Sequence, residues 1–294
     1  MKVAIYGQYY QNSTEPIIKD ILIFLIKNNV EIIIESNFLK ILFEKNLIEK
    51  GYPTFASYTE LNSSFDMLIS IGGDGTILRA ATLVRDSGVP ILGINAGRLG
   101  FLATVQKDNI DEFMQFIIDK KYSVSKRTLL SLTCSPDNEA IQDINFAMNE
   151  ISVSRQDTTS MITIETYLNN EYLNSYWADG LIIATPTGST GYSLSCGGPI
   201  FTPNVRSLVI TPIAPHNLNA RPLVVPDETE IRLKVSGRDD HYLVSLDSRI
   251  ISVKNETILF IKKSPFEINM VEIPNETFLK TLRTKLFWGE DRRN

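Results

Sequence analysis

Cysteine is nearly missing from this chain: Cys134 and Cys196 are the only two in 294 residues. Two thiols in ordinary contexts build neither a disulfide framework nor a zinc site, and they point to a reducing compartment. Histidine is as scarce, and His216 and His241 read as structural or surface residues. No apolar run approaches the roughly 18 residues that a membrane helix requires. The opening MKVAIYGQYY carries neither the h-region nor the cleavage site of a signal peptide, so a soluble cytoplasmic protein without a membrane partner is expected. Basic excess is lacking too. The formal net charge is −5, and the scattered Lys and Arg argue against nucleic acid as a partner. Low-complexity tracts and internal repeats are absent, and 43% apolar against 21% charged residues excludes disorder for the bulk of the chain.

What is present divides near residue 125. Before it, strand-like runs (KVAIYG, VEIII, MLISI, PILGIN) alternate with helical spacings at Pro16 to Lys27, Phe38 to Glu49, Ile77 to Asp86 and Ile110 to Asp119. That alternation predicts a parallel sheet with helices on its faces. After it come short β-branched runs divided by turn residues, among them EISVSR, MITIETYLN, LIIATP, SLVITPI, EIRLKVS, HYLVSL and TILFIKK; these predict a β-rich, sandwich-like domain. The final NETFLKTLRTKLFWGE reads as a helix capped by Asn275 and packing back on the first domain. The expected fold class is thus α/β plus all-β, with domains at 1–125, 126–270 and 271–294. A ligand between two closely packed halves would be sheltered.

One turn carries chemistry. Met67 to Ile71 is an apolar strand, Gly72 and Gly73 break it, and Thr76 onward resumes at helical spacing. A strand, a glycine turn and a helix N-terminus make a ready anion site. The turn is neither a P-loop nor a G-x-G-x-x-G fingerprint. Gly72, Gly73 and Gly75 let backbone N–H groups approach phosphates, yet Asp74 sits among them. Asp74 either caps the helix, or acts as a base on a hydroxyl or a magnesium-associated group beside bound phosphate. Arg79, one turn on, reaches phosphate or stands as a solvated helix-face arginine. A second stretch, DGLIIATPTGSTGYSLSCGGPI from Asp179, crowds Thr185, Thr187, Ser189, Thr190, Tyr192, Ser193 and Ser195 among glycines. Singly these are turn hydroxyls; as a set they form a surface for something polar and phosphorylated. No G-x-S-x-G elbow frames Ser193 or Ser195, which argues against a hydrolase.

With GGDGT at Gly72, GINAGRLGFL at Gly93, the pair Asn149 and Glu150, the long motif from Asp179, ARPLVVP at Ala220 and LRTKLFWG at Leu282 all in order, the chain resembles the NAD kinase family over nearly its whole length. The resemblance implies a two-domain fold and transfer of the γ-phosphoryl of ATP, or of polyphosphate, to the adenosine-ribose 2′-hydroxyl of NAD, giving NADP. It implies Asp74 as proton acceptor. Gly73, Gly75, Thr76, Arg79 and Phe101 fall at nucleotide-binding positions, as do Asn149, Glu150, Asp179, Thr187, Thr190, Gly191, Tyr192, Ser195 and Ala214. A divalent cation, Mg2+, would accompany ATP with no dedicated protein ligands, and a homodimer or homotetramer is implied. There are departures. Asp247, Ser248 and Arg249 stand where many members read Asp-Gly-Gln, leaving Arg249 to pair with phosphate or to be exposed, and Gly191 stands where alanine is common. Two other readings stay open: a kinase of a lipid or sugar, and a dinucleotide sensor that does no chemistry.

Overall fold

The computed structural model describes residues 1–9, 14–49, 51–103, 105, 110–156 and 160–288. The chain divides into two units, Met1–Lys126 together with the stretch returning from Ile268, and Arg127–Glu267.

The first unit begins with β1 (Lys2–Gly7), α1 (Thr14–Lys27), β2 (Glu31–Glu35), α2 (Ser36–Glu44) and β3 (Thr54–Phe55). It continues with β4 (Met67–Gly72), α3 (Asp74–Val84), β5 (Ile91–Asn95), α4 (Ile110–Ile118) and β6 (Ser123–Arg127). Its seven-stranded sheet has the order β3-β2-β1-β4-β5-β19-β6, where β19 is Ile268–Glu272 near the end of the chain. The pairs from β3 through β19 are parallel. Burial on both faces explains why β4 is apolar or small throughout, as an amphipathic strand would expose polar residues to a core. Val3, Ile5, Met67, Ile69 and Ile71 join Ile17, Ile21, Leu25, Phe38, Leu42, Phe113 and Ile117 of α1, α2 and α4 in one core. On α3, Ile77, Ala80, Ala81 and Val84 are buried. Strand order runs outward one way from β1 through β2 to β3 and the other way from β4 to β5, so the switch lies between β1 and β4. Open α/β sheets bind ligands at the carboxyl ends of strands flanking such a switch.

The second unit contains β7 (Leu130–Ser135), α5 (Glu139–Gln142), β8 (Phe146–Ala147), β9 (Glu150–Arg155), β10 (Ile162–Leu168) and β11 (Glu171–Ala178). Then follow β12 (Gly180–Ala184), α6 (Tyr192–Ser195), β13 (Ser207–Ile213), β14 (Leu223–Pro226), β15 (Ile231–Ser236), β16 (His241–Leu246), β17 (Arg249–Lys254) and β18 (Ile258–Lys263). They form two six-stranded sheets, β11-β10-β15-β18-β7-β8 and β14-β13-β12-β9-β16-β17. Pairing is antiparallel in both. Alternation of buried and half-exposed residues along β10, β15 and β16 aims one face of each inward. Residues of both sheets, such as Leu132, Ile164 and Leu233 with Val153, Ile183 and Val244, share one core.

After β19 comes α7 (Phe278–Leu286), whose N-cap is Thr277: its hydroxyl accepts from the Lys280 N–H at 3.2 Å. The sequence favoured Asn275 as the cap. Asn275 instead takes φ 71° in the turn before the helix, a left-handed backbone that Asn tolerates better than most residues. The sequence also named neither β6 nor β19. Among the described residues no helix is long and apolar enough to cross a membrane.

Candidate active site

Asp74 opens α3 but does not cap it. Gly73 is the N-cap residue, and the Asp74 carboxylate reaches across to the segment after β5. There Oδ2 accepts from the Phe101 N–H at 2.8 Å, and Oδ1 accepts from Leu102 and Ala103 at 3.0 and 3.1 Å. Three consecutive amides therefore fix the orientation of one carboxylate. The approach is close enough that a Cβ on Gly100 would fall 1.9 Å from Oδ1, so only glycine fits. By contrast, Cβ positions on Gly73 and Gly75 would meet nothing within 4 Å, so the backbone at the head of α3 is uncrowded on that side. Beside them Thr76 is buried, and its hydroxyl donates to the Gln8 carboxamide oxygen at 3.1 Å; Gln8 follows β1, and its N–H bonds the Ile71 carbonyl across the strand switch. Thr76 thus ties the turn to β1. Arg79 is exposed. The Phe101 ring meets Phe278 at 6.1 Å and Lys285 Nζ at 5.1 Å.

A second constellation lies in the other unit, where β9 begins. Asp247, in the turn between β16 and β17, has φ 54°, and its buried carboxylate accepts from the N–H groups of Met148, Asn149 and Glu150 at 3.0, 2.7 and 3.2 Å. The device that holds Asp74 recurs here: one carboxylate takes three consecutive amides, those of Met148, Asn149 and Glu150. From the other side Thr185 donates its hydroxyl to the Met148 carbonyl at 2.6 Å and its N–H to the Asn149 carbonyl at 2.9 Å. At Gly188 a Cβ would lie 2.0 Å from that Asn149 oxygen, so the hydroxyl-rich loop rests directly on the Asn149 backbone.

So positioned, Asn149 Oδ1 and Glu150 Oε2 are buried with no hydrogen-bond partner among the described residues. Burial pushes the Glu150 carboxyl up to about 8, with the Asp247 carboxylate adding to the rise and the Tyr192 N–H opposing it. A buried acceptor without a partner is costly; Asn149 Oδ1 calls for a donor, and the Glu150 carboxyl, which keeps its proton below about 8, can donate or accept beside it. Gly191 leaves room there: a Cβ on it would come 3.1 Å from Glu150 Oε2.

The loop hydroxyls split into two groups. Thr185, Ser189 and Ser193 are fully buried and bond internally. Ser189 donates to the Pro186 carbonyl at 2.7 Å, and Ser193 pairs with Thr211 at 2.8 Å. These three brace the loop. Thr190 and Ser195 are more open and Tyr192 is 44% exposed, while Thr187 is largely buried. Asp179, in the bend between β11 and β12, pairs with Arg155 of β9 at 3.0 Å, a partner the sequence did not suggest because nothing in spacing links the two. Ala214 sits at φ 43°. Arg249 faces inward. Its guanidinium donates to the carbonyls of Leu246, Ile144 and Phe146 and lies 3.7 Å from the Asp247 carboxylate. Among the described residues no three His, Cys, Asp or Glu side chains gather as a metal-holding group.

Comparison with known proteins places this geometry. Residues 3–122 match the ATP-NAD kinase N-terminal domain, and residues 148–273 match the ATP-NAD kinase C-terminal domain. The chain is 74% identical over 294 residues to the NAD kinase of Flavobacterium johnsoniae, covering 100% of each. Against the NAD kinase of Christiangramia forsetii it is 54% identical, again over 100% of each. Among solved structures, the yeast NADH kinase complexed with NADH superposes with a TM-score of 0.88 at 23% identity, over 99% of this chain and 88% of that one. An NAD kinase from Archaeoglobus fulgidus in complex with ATP gives 0.77 at 27% identity, over 98% of this chain and 99% of that one. These relatives define the class, a kinase. The chain belongs to the NAD kinase family.

Proposed function

We propose that the chain transfers the γ-phosphoryl of ATP to the 2′-hydroxyl of the adenosine ribose of NAD, giving NADP, with Asp74 as the proton acceptor. The observation that carries this reading is the Asp74 carboxylate held by three amides at the head of α3. A carboxylate offers about four lone-pair sites. Two of the three amide bonds go to Oδ1 and one to Oδ2, so Oδ2 keeps a place for the attacking hydroxyl. The backbone around Gly73 and Gly75, where a side chain would meet nothing within 4 Å, suits phosphate oxygens; a magnesium ion accompanying ATP would neutralise phosphate charge, and among the described residues no side-chain cluster is gathered to hold it. In phosphoryl transfer, positioning and charge neutralisation supply most of the rate and the base a further factor of about 10²–10⁴.

Residues 1–125 then carry the transfer chemistry and residues 126–270 hold the dinucleotide. Asn149 Oδ1, an unpartnered acceptor, suits the adenine amino group; Glu150 Oε2 suits a ribose hydroxyl. Thr187, Thr190, Gly191, Tyr192, Ser195, Asp179 and Ala214 complete the dinucleotide surface.

Purified protein mixed with magnesium, ATP and NAD, with NADP followed by an NADP-specific dehydrogenase, tests the reading when Asp74→Asn is run in parallel. NADP formation that drops by two or more orders of magnitude in the variant, with NAD still bound, supports it. Turnover undiminished in Asp74→Asn removes Asp74 as the base, and a wild-type protein that binds NAD without making NADP removes the kinase reading.

A further inference from the structure

The C-terminal helix takes part in none of the chemistry described so far, yet it grips the segment that grips Asp74. Lys285 Nζ donates to the Leu99 carbonyl at 2.9 Å, and the same ammonium stands 5.1 Å from the centre of the Phe101 ring. Leu99 and Phe101 flank Gly100, the residue whose missing Cβ admits Asp74 Oδ1. Phe101 in turn gives its N–H to Asp74 Oδ2 at 2.8 Å. Phe278, at the first turn of α7, lies 6.1 Å from the Phe101 ring. One lysine thus holds both neighbours of Gly100, and one of those neighbours touches the carboxylate.

The arrangement is not simply core packing. Thr281 is the one buried residue of α7, Leu279 is 55% exposed, and Lys285 itself is exposed. A helix so lightly buried contributes little hydrophobic stabilisation, and an exposed ammonium bonded to a carbonyl adds only a modest amount. Its effect is directional: a carbonyl contact and a cation–π contact on either side of a glycine restrict a segment that glycine would otherwise leave loose. A displacement of about 1 Å in a reacting group costs up to about 10²-fold in rate.

We propose that Lys285 is a positioning residue for the phosphoryl-transfer step: by bracketing Gly100 from α7 it sets the three-amide cradle in which Asp74 is held. The inference rests on Asp74 being the base, and the test separates the two. Lys285→Met keeps the aliphatic stem and removes the donor and the charge. It is expected to lower kcat about tenfold, to leave KM for NAD and ATP within about twofold, and to leave the thermal midpoint unchanged. Lys285→Arg, which retains a cation and donors, is expected to restore most of the rate. Because Lys285 acts through Asp74, the double variant Asp74→Asn/Lys285→Met is expected to be no more than about twofold slower than Asp74→Asn alone. Losses that multiply in the double variant, a Lys285→Met rate equal to wild type, or a midpoint that falls in step with kcat each overturn the inference while leaving the base standing. Full turnover in Asp74→Asn takes both away.

Discussion

Arg249 shares a hairpin turn with Asp247 and stands 3.7 Å from its carboxylate, and both residues are committed to the backbone that leads into Asn149. Asp247 takes the amides of residues 148–150 while Arg249 takes the carbonyls of Ile144 and Phe146. The pair therefore fixes the functional strand end from both polarities of its peptide groups. Arg249→Ala removes the cation beside a buried carboxylate and leaves three carbonyls without their donor, at a cost of about 1.5–3 kcal/mol for a charged hydrogen-bonding group. We expect the thermal midpoint to fall by several degrees and KM for NAD to rise more than KM for ATP, read by melting curves and initial rates. A KM for ATP that rises instead would mean that Arg249 serves phosphate after all.

The Glu150 carboxyl gives stability a pH dependence of defined sign. Unfolded, it titrates in the ordinary glutamate range, near 4.3; folded, burial lifts it to about 8. Between those values the folded state holds the extra proton, so the contribution is full below the unfolded pKa and is lost as pH rises through the folded one. Chemical denaturation from pH 5 to pH 9 is expected to show stability declining with pH, and Glu150→Gln is expected to flatten that slope. An unchanged slope in the variant would assign the titration elsewhere.

At Gly100 the cost of a single methyl is steric and local. Gly100→Ala brings a Cβ to 1.9 Å from Asp74 Oδ1, so either the carboxylate or the cradle must shift. We expect kcat to drop by at least about 10²-fold while the isolated NAD affinity, measured by calorimetry, stays near that of the wild type.

The two groups of loop hydroxyls should separate cleanly in mutants. Ser193→Ala deletes a buried bond to Thr211 and is expected to cost about 1 kcal/mol of stability without changing KM for NAD. Ser195→Ala, on the exposed side of the same helix α6, is expected to do the reverse, raising KM with the midpoint unmoved.

Much of this was legible in the residues. The buried run Met67 to Ile71 and the glycines after it announce a strand, a turn and a helix start, because burial on both faces admits no alternation and glycine breaks the run. The two antiparallel sheets follow from their β-branched runs in the same way. Other features depend on tertiary partners that no local pattern encodes. Ile268 to Glu272 is a short run whose strand state comes from pairing beside β5. Arg155 meets Asp179 only because the chain between them folds back across neighbouring strands. Arg249 reads as a phosphate partner or an exposed residue, and its bonds to carbonyls more than 100 positions away are set by the tertiary fold. Asn275 and Thr277 are both capping residue types, and backbone conformation chose between them.

The slot that β19 fills has a consequence for how the chain comes into being. The sheet of the first unit runs β5-β19-β6, so a strand from the far end of the sequence is inserted between two made much earlier. During synthesis, a chain extended through Glu267 already contains the whole of the second unit, which is continuous in sequence, while the first still has a gap in its sheet. Until β19 is made, the facing edges of β5 and β6 lack the strand that pairs between them. A strand made after the whole second unit thus completes the sheet that begins with β1.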